Sequence, residues 1–137
     1  MNEMTLDVTI RQPQNHAEIE KFIQICRESR LSSVLVTTRQ DSRYLSLFAI
    51  KNSDVVGGFV CFISPEKEKA DLDAMAVQEQ FRRQGIGSLL LEELKTQLKD
   101  RGIKILSLVP VNATETYYLN KGFSYDVTDE NYVVFQL

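Results

Sequence analysis

The chain has 137 residues, of which 43% are hydrophobic and 26% charged, and it carries a formal net charge of −3. A chain of this length is expected to form a single domain, residues 1–137, that buries roughly two-thirds of its unfolded surface. The net negative charge argues against a nucleic-acid partner, and no apolar run reaches the roughly 18 residues that a membrane span needs.

The chain also lacks a charged-then-apolar signal pattern at its start. Its two cysteines, Cys26 and Cys61, lack CxxC spacing and lie in apolar-periodic segments, so we expect buried free thiols in a reducing compartment. These features predict a cytoplasmic protein.

The amino-terminal part predicts a strand followed by a helix. Residues 5–10 alternate apolar and polar side chains, as in a half-buried strand. Asn15 with Glu18 suits a capping box, and the apolar stripe after it predicts a helix to about residue 30. Residues 31–43 are predicted to form an irregular loop that can include a short helix.

The middle of the chain predicts a hairpin. Strands at 44–50 and 55–63 are joined by a turn at 51–54. Gly57 and Gly58 inside the second strand indicate a bulge or a close approach by another group, or simply a packing adjustment in a twisted sheet.

The remaining segments alternate strands and helices. Gly102 is placed to stop the longer helix in the left-handed conformation. We predict an exposed turn at 64–68, strands at 69–77 and 103–109, helices at 85–100 and from Asn112 or Thr114 to about 122, and closing strands at 123–126 and 132–137. This order predicts an α/β (α+β) fold, with a mixed sheet and helices on both faces.

A strand-to-helix turn is the most informative stretch. Arg82 and Arg83 precede the helix, and Gly85 and Gly87 flank its start. The first turn of a helix carries unpaired N–H groups and partial positive charge, so nearby arginines are repelled unless an anion lies between them. Glycines let such an anion reach the backbone. The stretch therefore predicts a phosphate-binding turn.

Two common phosphate motifs do not fit. In a dinucleotide-binding GxGxxG motif the third glycine would stand at Leu90, and three meander strands come before the turn instead of βαβ order. No Gly-Lys-Ser/Thr follows, which excludes a Walker loop.

The chain resembles the GNAT family of acetyl-CoA-dependent N-acetyltransferases. Residues 82–87, Arg-Arg-Gln-Gly-Ile-Gly, are similar to the family's pyrophosphate signature Arg/Gln-x-x-Gly-x-Gly/Ala, and residues 70–77 resemble the strand before it. Residues 112–123 are similar to the second signature, with Asn112 and then Tyr118-x-x-x-Gly-Phe. The resemblance implies a mostly antiparallel sheet of about six to seven strands, with the fourth and fifth splayed around acetyl-CoA.

The resemblance also implies which residues bind the acetyl donor. The pantetheine arm would pair with the backbone of Met75, Ala76 and Val77 and contact Asn112, although helix capping explains Asn112 equally well. The pyrophosphate would lie on Arg82, Arg83, Gln84, Gly85, Ile86, Gly87 and Ser88.

Transfer to an amine needs a base, because an ammonium with pKa near 10.4 has no lone pair. Asp71 stands where several family members carry a catalytic glutamate, and Asp73 lies two residues on, on the same strand face. Both could instead be solvated surface residues. Tyr118 matches the tyrosine that protonates the leaving thiolate, and Tyr117 is expected in the core.

Covalent and metal chemistry find no support in the sequence. His16, the sole histidine, would lie about 15 Å along the first helix from Cys26, which favours direct transfer without an acyl-enzyme. No clustered ligands at metal spacing are present, so no metal is expected.

Three functions remain open. The first, which the sequence favours, is N-acetylation of a small-molecule amine such as an amino sugar, polyamine or amino-acid derivative. The second is the same reaction at a protein N terminus or lysine, and the third is a module that senses acyl-CoA without turnover. The apolar strand at 132–137 could lie inside the sheet or pair with another subunit, so a monomer and a homodimer are both compatible with the sequence.

Overall fold

The computed structural model describes residues 7–29, 43–111 and 114–137. In these ranges seven strands form one sheet in the order β1-β2-β3-β4-β5-β7-β6. Neighbouring strands run antiparallel except β4 and β5, which are parallel. The strands are β1 (Thr9–Arg11), β2 (Tyr44–Lys51), β3 (Asp54–Ser64), β4 (Lys69–Val77), β5 (Ile105–Leu108), β6 (Ser124–Tyr125) and β7 (Val133–Gln136).

Helices cover both faces of the sheet, as predicted. The helices are α1 (His16–Glu28), α2 (Ile86–Asp100) and α3 (Glu115–Asn120). On one face α1 packs Phe22, Ile25 and Cys26 against Phe48 and Val60. On the other face, α2 and α3 form a second core with the sheet, made of the helix residues Leu90, Leu94, Leu98 and Tyr118 and the strand residues Leu45, Leu47, Phe59, Cys61 and Leu106.

The start of α1 follows the capping box in the sequence. The Asn15 side chain accepts a hydrogen bond from the Glu18 N–H at 3.0 Å, and the Glu18 carboxylate accepts one from the Gln14 N–H. Arg11 of β1 binds the same carboxylate through two N–H groups, at 2.9 and 2.7 Å, and this pairing lowers the pKa of Glu18. One carboxylate thus joins β1 to the first turn of α1.

A β-bulge divides β4 into two halves. Leu72 pairs with Cys61 and Ala74 pairs with Val60, so Asp73 is an extra residue in the ladder. Ala70 and Leu72 belong to the core under α2, whereas Ala74 and Ala76 belong to the core under α1. The bulge therefore reverses the alternation of the strand. The prediction that Asp71 and Asp73 share a face assumed unbroken alternation, and the bulge removes that basis.

The parallel pairing of β4 and β5 is short. It runs from Lys69↔Ile105 to Asp71↔Ser107. Beyond Asp71, β4 continues to Val77, and within the described residues this part of the strand pairs with β3 on one edge only. The two strands are thus splayed, as the family resemblance implies, and one edge of the second half of β4 is left open.

The strand boundaries differ from prediction where local patterns are weakest. The first strand is Thr9–Arg11 where 5–10 was predicted, the fifth is Ile105–Leu108 where 103–109 was predicted, and the closing strands are shorter than expected. Residues 1–6, Asn112 and nearly all of the predicted 31–43 loop lie outside the described residues. The strand β7 lies between β5 and β6, inside the sheet.

The two glycines of β3 mark both features that the sequence indicated. The β2–β3 register shifts between Ala49 and Ile50, which leaves Val56 as a bulge residue beside Gly57. A Cβ at Gly58 would lie 2.8 Å from the Leu47 carbonyl oxygen and 2.7 Å from a ring carbon of Phe48. Bulge and close approach therefore occur together.

Gly58→Ala should lower the free energy of unfolding by about 1–3 kcal/mol, because the added methyl overlaps backbone that cannot retreat from the centre of the sheet. Chemical denaturation measures the loss. Gly102→Ala is the matched control, because its methyl meets nothing within 4 Å and it reports only the cost of the left-handed backbone at φ 77°. A Gly58→Ala protein as stable as the wild type would mean that the strands move apart at low cost.

Candidate active site

The backbone N–H groups in the first turn of α2 are not capped by any described side chain. Gly85 holds the position before the helix with φ 86°. No described side chain caps this helix, and its first turn contains no acidic residue, in contrast to α1. The Leu89 N–H bonds back to the Gly85 carbonyl, which leaves the amides before it pointing out of the helix end. Such a turn favours an anion.

A cavity of about 410 Å³ opens onto this turn, between β4 and α3. It gathers most of the predicted donor-binding residues on one surface. From that set it is lined by Met75, Ala76, Val77, Arg82, Arg83, Gly85, Ile86, Gly87, Ser88 and Tyr118.

Some predicted residues fall outside the cavity lining. Gln84 is exposed and accepts a hydrogen bond from Lys51 Nζ at 3.2 Å. Asp71 and Asp73 lie further back on β4, so that Asp73 is about 7 Å along the strand from Met75. Asn112 is outside the described residues, and its predicted contact stays a prediction.

Arg82, which lines the cavity, forms two hydrogen bonds with other elements of the fold. Its Nε donates to the Val77 carbonyl at 2.9 Å, and its Nη2 donates to Ser29 Oγ at 3.1 Å. Arg82 thus fastens the end of β4 to the end of α1. Arg83, next in the chain, is exposed and adopts φ 65°, which turns the backbone toward the helix start.

Two adjacent tyrosines of α3 form the opposite wall. Tyr118 is 7% exposed, and its ring stands edge-on to Phe123 with centroids 5.5 Å apart. Burial raises the pKa of the Tyr118 phenol well above its usual 10. Tyr117 packs edge-on against Tyr118 at 5.2 Å, and its hydroxyl is buried without a hydrogen-bond partner among the described residues.

The two aspartates of β4 have different surroundings. Asp71 Oδ1 accepts a hydrogen bond from Ser107 Oγ and lies 3.9 Å from Lys69 Nζ. Asp73 forms no ion pair within the described residues, and its pKa is raised, first by partial burial and then by the negative charge of Asp71. The carboxylates therefore interact across the bulge, and Asp73 is the one whose proton affinity is increased.

Sequence reasoning missed four residues of this region. Phe81, Thr114 and Tyr117 line the cavity, and buried Ser107 holds Asp71. Ser107 carried a signal, because it is a lone polar residue within the apolar strand Ile105–Leu108. Phe81 and Thr114 carried no signal for a place in the cavity, since Phe81 lies in a 3₁₀ turn and Thr114 at the start of α3.

The two cysteines are buried and the histidine is exposed. Burial raises the pKa of the Cys26 thiol to about 12 and raises that of the Cys61 thiol as well. His16 lies at the surface beside Glu20. Over residues 7–29, 43–111 and 114–137, no group of three His, Cys, Asp or Glu side chains could hold a metal ion, and no helix is long and apolar enough to cross a membrane.

The fold and this site agree with one protein family. The family model for the acetyltransferase (GNAT) family matches residues 8–123, so the chain belongs to that family. The predicted family, the fold class and the assignment of the chain as an acetyltransferase enzyme are confirmed.

Individual relatives extend the likeness over nearly the whole chain. The ribosomal protein bS18-alanine N-acetyltransferase of Haemophilus influenzae is 27% identical over 115 residues, covering 82% of this chain and 77% of the relative. The crystal structure of the ribosomal-protein-S18-alanine N-acetyltransferase from Escherichia coli matches with a TM-score of 0.67 and 24% identity, over 95% of this chain and 92% of that one.

A third likeness concerns a complex. The structure of N-acetylglutamate synthase from Neisseria gonorrhoeae with coenzyme A and N-acetylglutamate matches with a TM-score of 0.76 and 18% identity, over 95% of this chain and 35% of that one. At such identity the likeness concerns the fold.

Proposed function

We propose that the protein is an N-acetyltransferase that moves the acetyl group of acetyl-CoA directly to a primary amine. The observation that carries the proposal is the uncapped first turn of α2 at the mouth of a cavity that also exposes one edge of β4. A diphosphate suits the helix end, and an extended pantetheine arm suits an open strand edge. The complex of N-acetylglutamate synthase with coenzyme A supports the same ligand.

The residues present fit this ligand on two further grounds. Gly87 has no Cβ, which lets the buried Tyr117 hydroxyl lie against the first turn of α2, where it has no hydrogen-bond partner among the described residues. Backbone N–H groups from Gly85 to Ser88 would hold the diphosphate, and Met75 to Val77 would hold the arm. When bound, acetyl-CoA supplies an activated thioester carbonyl.

Proton removal from the amine falls to Asp73 in this proposal. Asp71 is already engaged, because its Oδ1 accepts a hydrogen bond from Ser107 Oγ and lies 3.9 Å from Lys69 Nζ. Asp73 has a raised pKa and the negative charge of Asp71 nearby, which makes it the stronger base. Asp71 then acts as a positioning residue that raises the basicity of Asp73.

Tyr118 stabilises the departing sulfur. With a pKa far above the roughly 8.5 of a thiol, the phenol keeps its proton and donates a hydrogen bond to the developing thiolate. Full proton transfer to sulfur would be uphill. This modifies the role of proton donor that the family resemblance implies.

The acceptor is an amine, and the sequence favours one on a small molecule. A second candidate, an amine of a protein, is supported by the likeness to the ribosomal protein bS18-alanine N-acetyltransferase. The two candidates share the donor site and the chemistry and differ in what docks beside Asp73.

Turnover is measured by thiol release from acetyl-CoA with a chromogenic disulfide, to which the buried Cys26 and Cys61 should contribute no background. The panel contains polyamines, amino sugars, amino-acid amides and peptides that start with each amino acid. We expect one class to give saturable turnover. Tight binding of acetyl-CoA with no turnover across both classes would contradict the proposed reaction.

Asp73→Asn should lower kcat/KM by about 10²–10⁴-fold and remove its acid limb, the rise in rate with pH as Asp73 loses its proton. Asp71→Asn is the matched control. It should retain activity and move that limb to lower pH, because the charge that raises the pKa of Asp73 is gone. If Asp71→Asn removed the limb and Asp73→Asn only shifted it, the two roles would be exchanged.

Tyr118→Phe should lower kcat by about 10- to 100-fold, the value of one hydrogen bond to a developing charge. The dissociation constant of CoA should change by less than about twofold, since ring packing is kept. Steady-state kinetics and calorimetry measure the two quantities. Unchanged kcat with the preferred amine would exclude a contact between this phenol and the leaving sulfur.

A further inference from the structure

Tyr117 was expected to fill the core, but its hydroxyl reaches the first turn of α2. A Cβ built on Gly87, the second residue of α2, would lie 3.2 Å from Tyr117 Oη. Both residues line the cavity. The ring is half-buried and fixed by edge-on contact with Tyr118 at 5.2 Å, so the hydroxyl has little freedom to turn elsewhere.

The Tyr117 hydroxyl is buried and has no hydrogen-bond partner in the described part of the chain. Buried hydroxyl groups in folded proteins nearly always have a partner, and exceptions call for a functional reason. A phenylalanine would fill the same core position without this cost, so packing alone does not account for the oxygen.

A lysine one turn further along adds positive charge beside the same helix end. Lys121 Nζ donates to Ser88 Oγ at 2.7 Å and lies 5.6 Å from the centre of the Tyr117 ring. A cation beside the positive end of a helix is unfavourable unless an anion joins them. Lys121 thus brings a positive charge, and Tyr117 an O–H donor, to the first turn of α2.

We infer that Tyr117 Oη donates a hydrogen bond to the diphosphate of CoA at the first turn of α2, so that α3 completes the phosphate site. The inference rests on the proposed function, since it assumes that the cavity binds acetyl-CoA. The diphosphate is favoured over the pantetheine arm because Oη lies against Gly87 of the helix, whereas the arm would follow Met75 to Val77. Tyr117 thereby acts on binding, and its neighbour Tyr118 on turnover.

Tyr117→Phe removes the hydroxyl and keeps the ring. Calorimetry with CoA and with dephospho-CoA, which retains the diphosphate, should give affinities about 5- to 15-fold weaker than wild type for both ligands. NMR titrations with two fragments should separate the contacts. Inorganic diphosphate should bind more weakly to the variant, and pantetheine should bind equally well. Tyr125→Phe, whose hydroxyl bonds Glu115 outside the cavity lining, should match wild type throughout.

The melting temperature of the free protein gives a readout independent of ligand. Tyr117→Phe should melt no lower than wild type, because the lost hydroxyl has no hydrogen-bond partner among residues 7–29, 43–111 and 114–137. A clear decrease would reveal a protein partner and overturn the inference. Unchanged CoA affinity, or an equal loss for pantetheine, would overturn it too, as would a loss confined to CoA and absent for dephospho-CoA. Failure of wild type to bind CoA would instead refute the proposed function.

Discussion

The parallel ladder between β4 and β5 ends at Asp71 and Ser107, and the rest of the site follows from that ending. Had the ladder continued, the backbone edge from Leu72 to Val77 would be occupied by a strand. Because it stops, the edge is open and its last residues, Met75 to Val77, line the cavity, and the bulge at Asp73 turns the second half of β4 near the same point. The Ser107–Asp71 hydrogen bond closes the last rung. The first half of β4 is thus paired on both edges, and the second half has one edge with which a ligand can pair.

The start of α2, beside this edge, also leaves backbone polar groups free for a ligand, whereas the start of α1 does not. α1 satisfies its first turn with Asn15 and Glu18, which is what a structural helix does. α2 begins with Gly85 and has no capping side chain in the described chain, so its free amides and partial charge are left for a ligand. The Arg82 bonds to Val77 and Ser29 hold the turn in place without that ligand.

Sequence reasoning succeeded where a local signal has one physical cause. The capping residue Asn15, the left-handed stop at Gly102 and the extent of β4 each depend on a few adjacent residues. It failed where tertiary contacts decide. Nothing local shows that Asp73 is a bulge residue, because the extra residue appears only in the pairing with β3. For the same reason, a Tyr-Tyr pair does not reveal which hydroxyl reaches Gly87.

The site also costs the fold some stability. A raised pKa means that the folded protein holds the Asp73 proton more tightly than the unfolded chain, so the carboxylate destabilises the fold once pH rises through that pKa. The Tyr117 hydroxyl and the N–H groups at the start of α2 add costs of the same kind, since none of the described side chains forms a hydrogen bond with them. A chain selected for stability alone would neutralise all three. They occur together along one cavity and the strand beside it, where the proposed binding of acetyl-CoA and the proposed proton transfer would use all three.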